Sequence, residues 1–152
     1  MRLLLDVMCG GLRPYLRMCG HDAAYAGDRS GLEDDDALLA AARDEDRTVV
    51  TRDVDLARRS EDSILLESRE VEGQLVELFD TGVDLELADE PTRCGRCNGQ
   101  LDPMDPTANR PEYVPERVDG GAWRCLDCGQ WFWRGSHWDD VAETLARVRR
   151  LA

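Results

Sequence analysis

The side chains of this 152-residue chain best suited to chemistry are its cysteines and a set of aspartates at the ends of apolar runs. Cys94 and Cys97 form one C-x-x-C turn and Cys125 and Cys128 a second, each followed closely by glycine. Two such turns can aim four thiolates at a single point, and four thiolates around Zn²⁺ close a tetrahedral structural site with no position left for water. The stretch 98–124 between the pairs is long for a zinc ribbon, yet a hairpin with an extended tip spans it. The competing readings are redox motifs or disulfides. A thioredoxin-like pair opens a helix after a strand, whereas both pairs here lie in polar, Gly-containing turns. A zinc held this way supports a fold, so reactive chemistry is expected elsewhere.

That chemistry is expected at carboxylates. Asp6 ends the apolar run RLLLDV, Asp53 and Asp55 follow RTVVT, and Asp35 and Asp36 open a helical pattern between them. In an open α/β sheet, ligands collect outside the carboxyl ends of the strands. Several acids in one such crevice repel one another and call for a hard divalent cation, which for oxygen donors means Mg²⁺ or Mn²⁺. Asp6 and Asp53 are the expected direct ligands, because strand ends hold a side chain more rigidly than loops. Plainer duties compete for the other acids: Asp35 and Asp36 can serve a helix N-terminus, and Asp55 can cap the helix it precedes. Asp6 has no evident helix to cap.

The elements that must position these groups alternate. A strand is expected over residues 2–7. A helix carrying Leu12, Tyr15, Leu16 and Cys19 follows, with Pro14 in its first turn and Gly20 ending it. A second strand falls at 22–26, a helix at 35–46, a strand at 47–51, a short helix at 54–59, a strand at 63–66 and an amphipathic helix at 70–80. This alternation specifies an α/β domain with a parallel sheet over residues 1–83. The stretch 84–93 reads as a linker. A small zinc ribbon interrupted by a Pro-rich loop at 103–115 comes next and ends near residue 135, and a terminal helix over 138–151 completes a second unit, 94–152. His21 reads as a surface turn residue, and His137 as a histidine beside the metal site or in the core.

The start MRLLLDVMCGG is interrupted by Asp6 and resembles neither a signal peptide nor a membrane span, so a cytoplasmic protein with no membrane contact is expected. With Cys9 and Cys19 left over, no disulfide framework is implied. The net charge of −13 ordinarily argues against a polyanionic partner. All 19 basic residues are Arg, however, and the acids are spread along the chain, as in salt-adapted, halophilic proteomes where screening is short-ranged. An ordinary acidic protein is the alternative.

The segments LLLDVMCGGLRPYLRMCGHDAAYAGD and DDDALLAAARDEDRTVVTRDVDLARR, with the ribbon ending in WRGSHW, resemble the Mut-seven C-terminal ribonuclease domain, a zinc-ribbon branch of the PIN-like nucleases. The halophilic style is similar to an archaeal member. The resemblance implies a PIN-like three-layer domain and a metal-dependent ribonuclease whose acids are Asp6, Asp36, Asp53 and Asp55. In-line phosphodiester hydrolysis would leave a 5′ phosphate and a 3′ hydroxyl. Arg13 and Arg17, four apart on one helix face, are expected to clamp a flanking phosphate, with Arg52 on the other rim; solvated face residues are the alternative for the first two. RNA is the expected partner, no small-molecule cofactor is implied, and a homodimer is compatible with the chain. A non-catalytic RNA- or ribosome-binding adaptor and a protein-recruiting module are the rivals. Trp123, Trp131, Trp133 and Trp138, interleaved with Arg124 and Arg134, suit either packing of the ribbon onto the first domain or stacking on RNA bases.

Overall fold

The computed structural model describes residues 1–105, 109–118 and 120–152. Four short strands, β1 (Arg2–Leu5), β2 (Asp22–Tyr25), β3 (Thr48–Thr51) and β4 (Ser63–Leu65), form one sheet in the order β2-β1-β3-β4. Every pairing is parallel, with Leu4 seated between Ala24 and Val49. Strands in such a sheet are covered on both faces, which is why they read as unbroken apolar runs.

Alternate residues feed two cores. Leu3, Leu5, Ala23 and Val50 point to one face, where they meet Leu12, Leu16 of α1 (Arg13–Met18) and Leu75, Leu78 of α4 (Val71–Asp80). Leu4, Ala24 and Val49 point to the other, against Leu38 and Ala42 of α2 (Asp35–Asp44) and Leu56 of α3 (Val54–Arg59). The result is a three-layer α/β/α arrangement. Residues 84–93 contain no helix, and the start of this stretch packs onto the first core, where Leu85 is fully buried. The terminal helix α5 (Ser136–Leu151) also returns to that core through Val141, Leu145 and Val148, and its Arg147 pairs with Glu72 of α4.

Between them, β5 (Leu101–Met104), β6 (Ala122–Cys125) and β7 (Trp131–Trp133) make an antiparallel sheet around a small core of Val114, Ala122 and Trp131. Part of the expected Pro-rich loop, residues 106–108, lies outside the described residues. Asn98, held at φ 74° in the first cysteine turn, accepts from the Ala23 N–H at 3.0 Å and donates to Asp22 at 2.7 Å, so the ribbon closes the open edge of β2. Among the described residues, no helix is long and apolar enough to cross a membrane.

Two expectations change here. His21 is buried, its Nδ1 3.0 Å from the N-terminal amine and its Nε2 2.6 Å from the Asp84 carbonyl, and burial lowers its pKa. The first strand stops at Leu5 because Asp6 turns the chain into a 3-10 helix, Val7–Leu12.

Candidate active site and metal centre

The sheet order makes β1 the strand from which the chain first steps to β2 and then crosses back to β3. Crevices form at such reversals, outside the carboxyl ends of the two strands that part. Asp6 follows β1 there and Asp53 follows β3. Between them stands Thr51, the last residue of β3 and fully buried. Its hydroxyl donates to Asp6 Oδ2 at 2.8 Å and accepts the Asp53 N–H at 2.9 Å, joining the Asp6 carboxylate to the Asp53 backbone through one oxygen. Asp6 Oδ1 accepts the Val7 N–H at 2.8 Å, so Asp6 does cap a helix, a 3-10 helix that its sequence context did not suggest. Asp53 caps α3: its Oδ1 accepts from the N–H groups of Asp55 at 2.9 Å and Leu56 at 3.2 Å. The capping role considered for Asp55 thus belongs to Asp53. Among the described residues, Asp53 Oδ2 accepts no hydrogen bond.

Among the described residues, neither Asp36 nor Asp55 joins Asp6 and Asp53 in a group of three close enough to share a metal. Asp36 lies in the first turn of α2, whose cap is Asp34, and its exposed carboxylate is bound by Arg59 of α3. Asp55 is 81% exposed and sits 3.7 Å from Arg58. Among the described residues, the cysteine quartet is the one group of three or more Cys, His, Asp or Glu side chains close enough to share a metal. Mg²⁺ does not need such a cage: one or two carboxylates suffice when waters and substrate phosphates complete the shell. Asp6 and Asp53, with a free oxygen on Asp53, fit that donor set.

Basic groups border the edge unevenly. Arg13 lies 4.3 Å over the Tyr25 ring at the end of β2, donates to the Gly10 carbonyl at 2.7 Å and stands 3.7 Å from Asp28. Among the described residues, the buried Nε atom of Arg52 has no hydrogen-bond partner. Arg17 departs from its expected place on an exposed face beside Arg13. It is 1% exposed and donates to the carbonyls of Ala23 at 3.0 Å and Gly95 at 3.1 Å, tying α1 to β2 and to the first cysteine turn. Burial lowers its pKa, opposed by the nearby Asp28 carboxylate and by Cys94 and Cys97. A Zn²⁺ held by these four thiolates would carry a net negative charge and would give this buried guanidinium a counter-charge. Cys9, behind Asp6, is pushed up to about 11 by burial and by the Asp6 charge, so it stays a neutral thiol and offers no nucleophile at neutral pH.

The four ribbon cysteines converge. Their sulfurs all lie within 4.8 Å of one another, with Cys94 and Cys128 at 3.7 Å and Cys97 and Cys125 at 3.5 Å. A tetrahedron of Zn–S bonds of about 2.3 Å has sulfurs about 3.8 Å apart, whereas a disulfide needs about 2.05 Å. The arrangement therefore fits a closed structural zinc site and not two disulfides. Burial pushes the Cys94 and Cys97 thiols up; at Cys125 the N–H groups of Cys128 and Asp127 outweigh burial and bring it down to about 7.

Thr51 and Arg59 carry duties that spacing alone did not reveal. Thr-x-Asp before a helix is a local turn signal for the first; nothing local marks the second.

A family model described as the Mut7-C RNAse domain matches residues 1–145. Neither curated proteins nor solved structures give a match.

Proposed function

The chain belongs to the Mut7-C RNAse domain family, and from that premise we propose that it is a metal-dependent ribonuclease whose reaction centre is the Asp6–Thr51–Asp53 edge. The observation that carries this reading is the Thr51 hydroxyl at the reversal point of the sheet, which donates to the Asp6 carboxylate and accepts the backbone N–H of Asp53, setting both residues at one edge. Asp6 and Asp53 would hold Mg²⁺ or Mn²⁺, which when bound would lower the pKa of a water and stabilise the leaving oxygen. The chain's own residues do the positioning. Thr51 fixes the Asp6 carboxylate, and the start of α3 fixes Asp53 by two N–H donors while leaving its second oxygen free. Arg52, with an unpartnered Nε, and Arg13, held flat on Tyr25, take the phosphates on either side of the scissile bond. Arg17 serves the fold instead, and Asp36 and Asp55 act through water or through their arginine partners. Zinc at Cys94, Cys97, Cys125 and Cys128 holds the ribbon against β2.

A second reading, an RNA-binding adaptor with a reduced site, draws on the engagement of Asp36 by Arg59. Incubation with structured and unstructured RNAs plus Mn²⁺ separates the two. Cleavage to 5′-phosphate and 3′-hydroxyl ends, stopped by EDTA, supports the enzyme; tight binding with every RNA intact supports the adaptor.

A further inference from the structure

Between α1 and the ribbon runs a groove of about 370 Å³ whose described lining contains no Asp or Glu, in a chain with 32 acidic residues. It falls in the size range of ligand sites, about 300–1,000 Å³. Its rings are not all needed for packing. Trp131 belongs to the ribbon core and Trp133 leans on it, but Trp138 and Phe132 belong to none of the three buried clusters. Phe132 sits opposite Trp123 across β6 and β7, and the guanidinium of Arg134 lies 5.9 Å from the Trp123 ring and 5.4 Å from that of Trp138. At the rim, Arg96 is exposed and donates to the Gln130 side chain at 3.1 Å; among the described residues it has no carboxylate partner. His137 adds an exposed imidazole.

Arg93, also in the lining, pairs with Asp22 at 3.6 Å, whereas Arg96 and Arg134 have no carboxylate partner among the described residues. Flat apolar rings beside these two guanidinium groups match one ligand class, a base with its phosphate. Resting on the ribonuclease reading above, we propose that this groove binds unpaired bases of an RNA strand whose backbone continues to the Asp6 edge. The two sites are joined by a short physical path. Pro14 lines the groove, its neighbour Arg13 stacks on Tyr25, and the Tyr25 hydroxyl donates at 2.9 Å to the carbonyl of Val7, the residue after Asp6. The groove thereby selects single-stranded RNA, since bases stacked within a duplex have no free faces to offer.

The test is binding of a fluorescein-labelled single-stranded oligoribonucleotide to the zinc-loaded full chain without Mg²⁺ or Mn²⁺, read by anisotropy and by quenching of tryptophan emission. A blunt duplex RNA, inorganic polyphosphate and an apolar peptide serve as competitors. Single strands are expected to bind and quench, with duplex and polyphosphate at least about ten-fold weaker. Trp138→Ala should weaken binding about 5- to 150-fold, the loss of one stacked base. Arg96→Ala, at an exposed side chain, should weaken it less and lower the salt slope by about 0.7. Unchanged binding in both folded variants, equal competition by polyphosphate, or displacement by the peptide alone would overturn the groove assignment. The outcomes stay separate from the parent reading. RNA held in the groove but never cut overturns the nuclease alone; cleavage with unchanged KM in both variants overturns the groove alone.

Discussion

Replacing Thr51 by Val removes one hydroxyl that holds the Asp6 carboxylate and the backbone N–H of Asp53. The side chain is fully buried, and its oxygen serves two partners, Asp6 Oδ2 at 2.8 Å and the Asp53 N–H at 2.9 Å. A hydrogen bond to a charged group contributes about 1.5–3 kcal/mol, and a buried N–H left without an acceptor costs about 1–3 kcal/mol. The two losses share one atom and do not add fully, so Thr51→Val should destabilise by about 2–4 kcal/mol. For a chain of this size that lowers Tm by about 4–16 °C. Thr51→Ser keeps the hydroxyl and should stay within about 1 kcal/mol of the wild type. Thermal melts of the three proteins read the stability, and titration calorimetry with Mn²⁺ reads the site. Losing a group that orients a metal ligand lowers metal affinity by about 10–100-fold, so Thr51→Val should bind Mn²⁺ at least ten-fold more weakly than Thr51→Ser. A valine variant that melts with the wild type and binds Mn²⁺ equally well would refute the claim that this hydroxyl fixes the Asp6 carboxylate and the Asp53 backbone.

Cys94→Ser or Cys125→Ser should reduce bound zinc from one per chain to near zero and loosen the ribbon, while the four-stranded sheet keeps its far-ultraviolet signal; metal analysis with circular dichroism checks both. Glu45 is held down to about 2 by its hydrogen bonds to Arg29, with Arg47 adding to the effect. Because its folded pKa lies below its ordinary value of 4.5, the stability it contributes is complete above about pH 4.5 and is lost as pH falls toward 2. Glu45→Gln should therefore flatten the acid limb of the denaturation curve in that window, and an unchanged limb would show that other carboxylates set it. With a net charge of −13, the protein should melt higher as KCl rises into the molar range, measured across a salt series.

Local signals in the sequence were enough for the layered sheet and the metal quartet. Leu3, Leu4 and Leu5 feed both cores, and an unbroken apolar run is what a strand covered on both faces requires. The two C-x-x-C turns needed only their spacing. What escaped depends on partners far along the chain. Arg17 looks like a helix-surface residue until Gly95, 78 residues later, offers it a carbonyl. His21 looks like a turn residue until Asp84 covers it. The bond from Thr51 to Asp6 appears only when parallel pairing sets β3 beside β1, and the pairing of Asp36 with Arg59 depends on another helix. The cap of α3 was legible in principle, since in Asp53-Val54-Asp55 the first acid stands at the boundary position and the second already inside the first turn.

The central claim, that Asp6 and Asp53 jointly support metal-dependent RNA cleavage, is tested most directly by single-turnover cleavage of a single-stranded RNA in Mn²⁺ by the wild type, Asp6→Asn and Asp53→Asn, purified identically. Each asparagine keeps the shape and removes the charge. The account predicts cleavage by the wild type alone, stopped by EDTA, with both variants folded. Both variants folded and cleaving at the wild-type rate would contradict it.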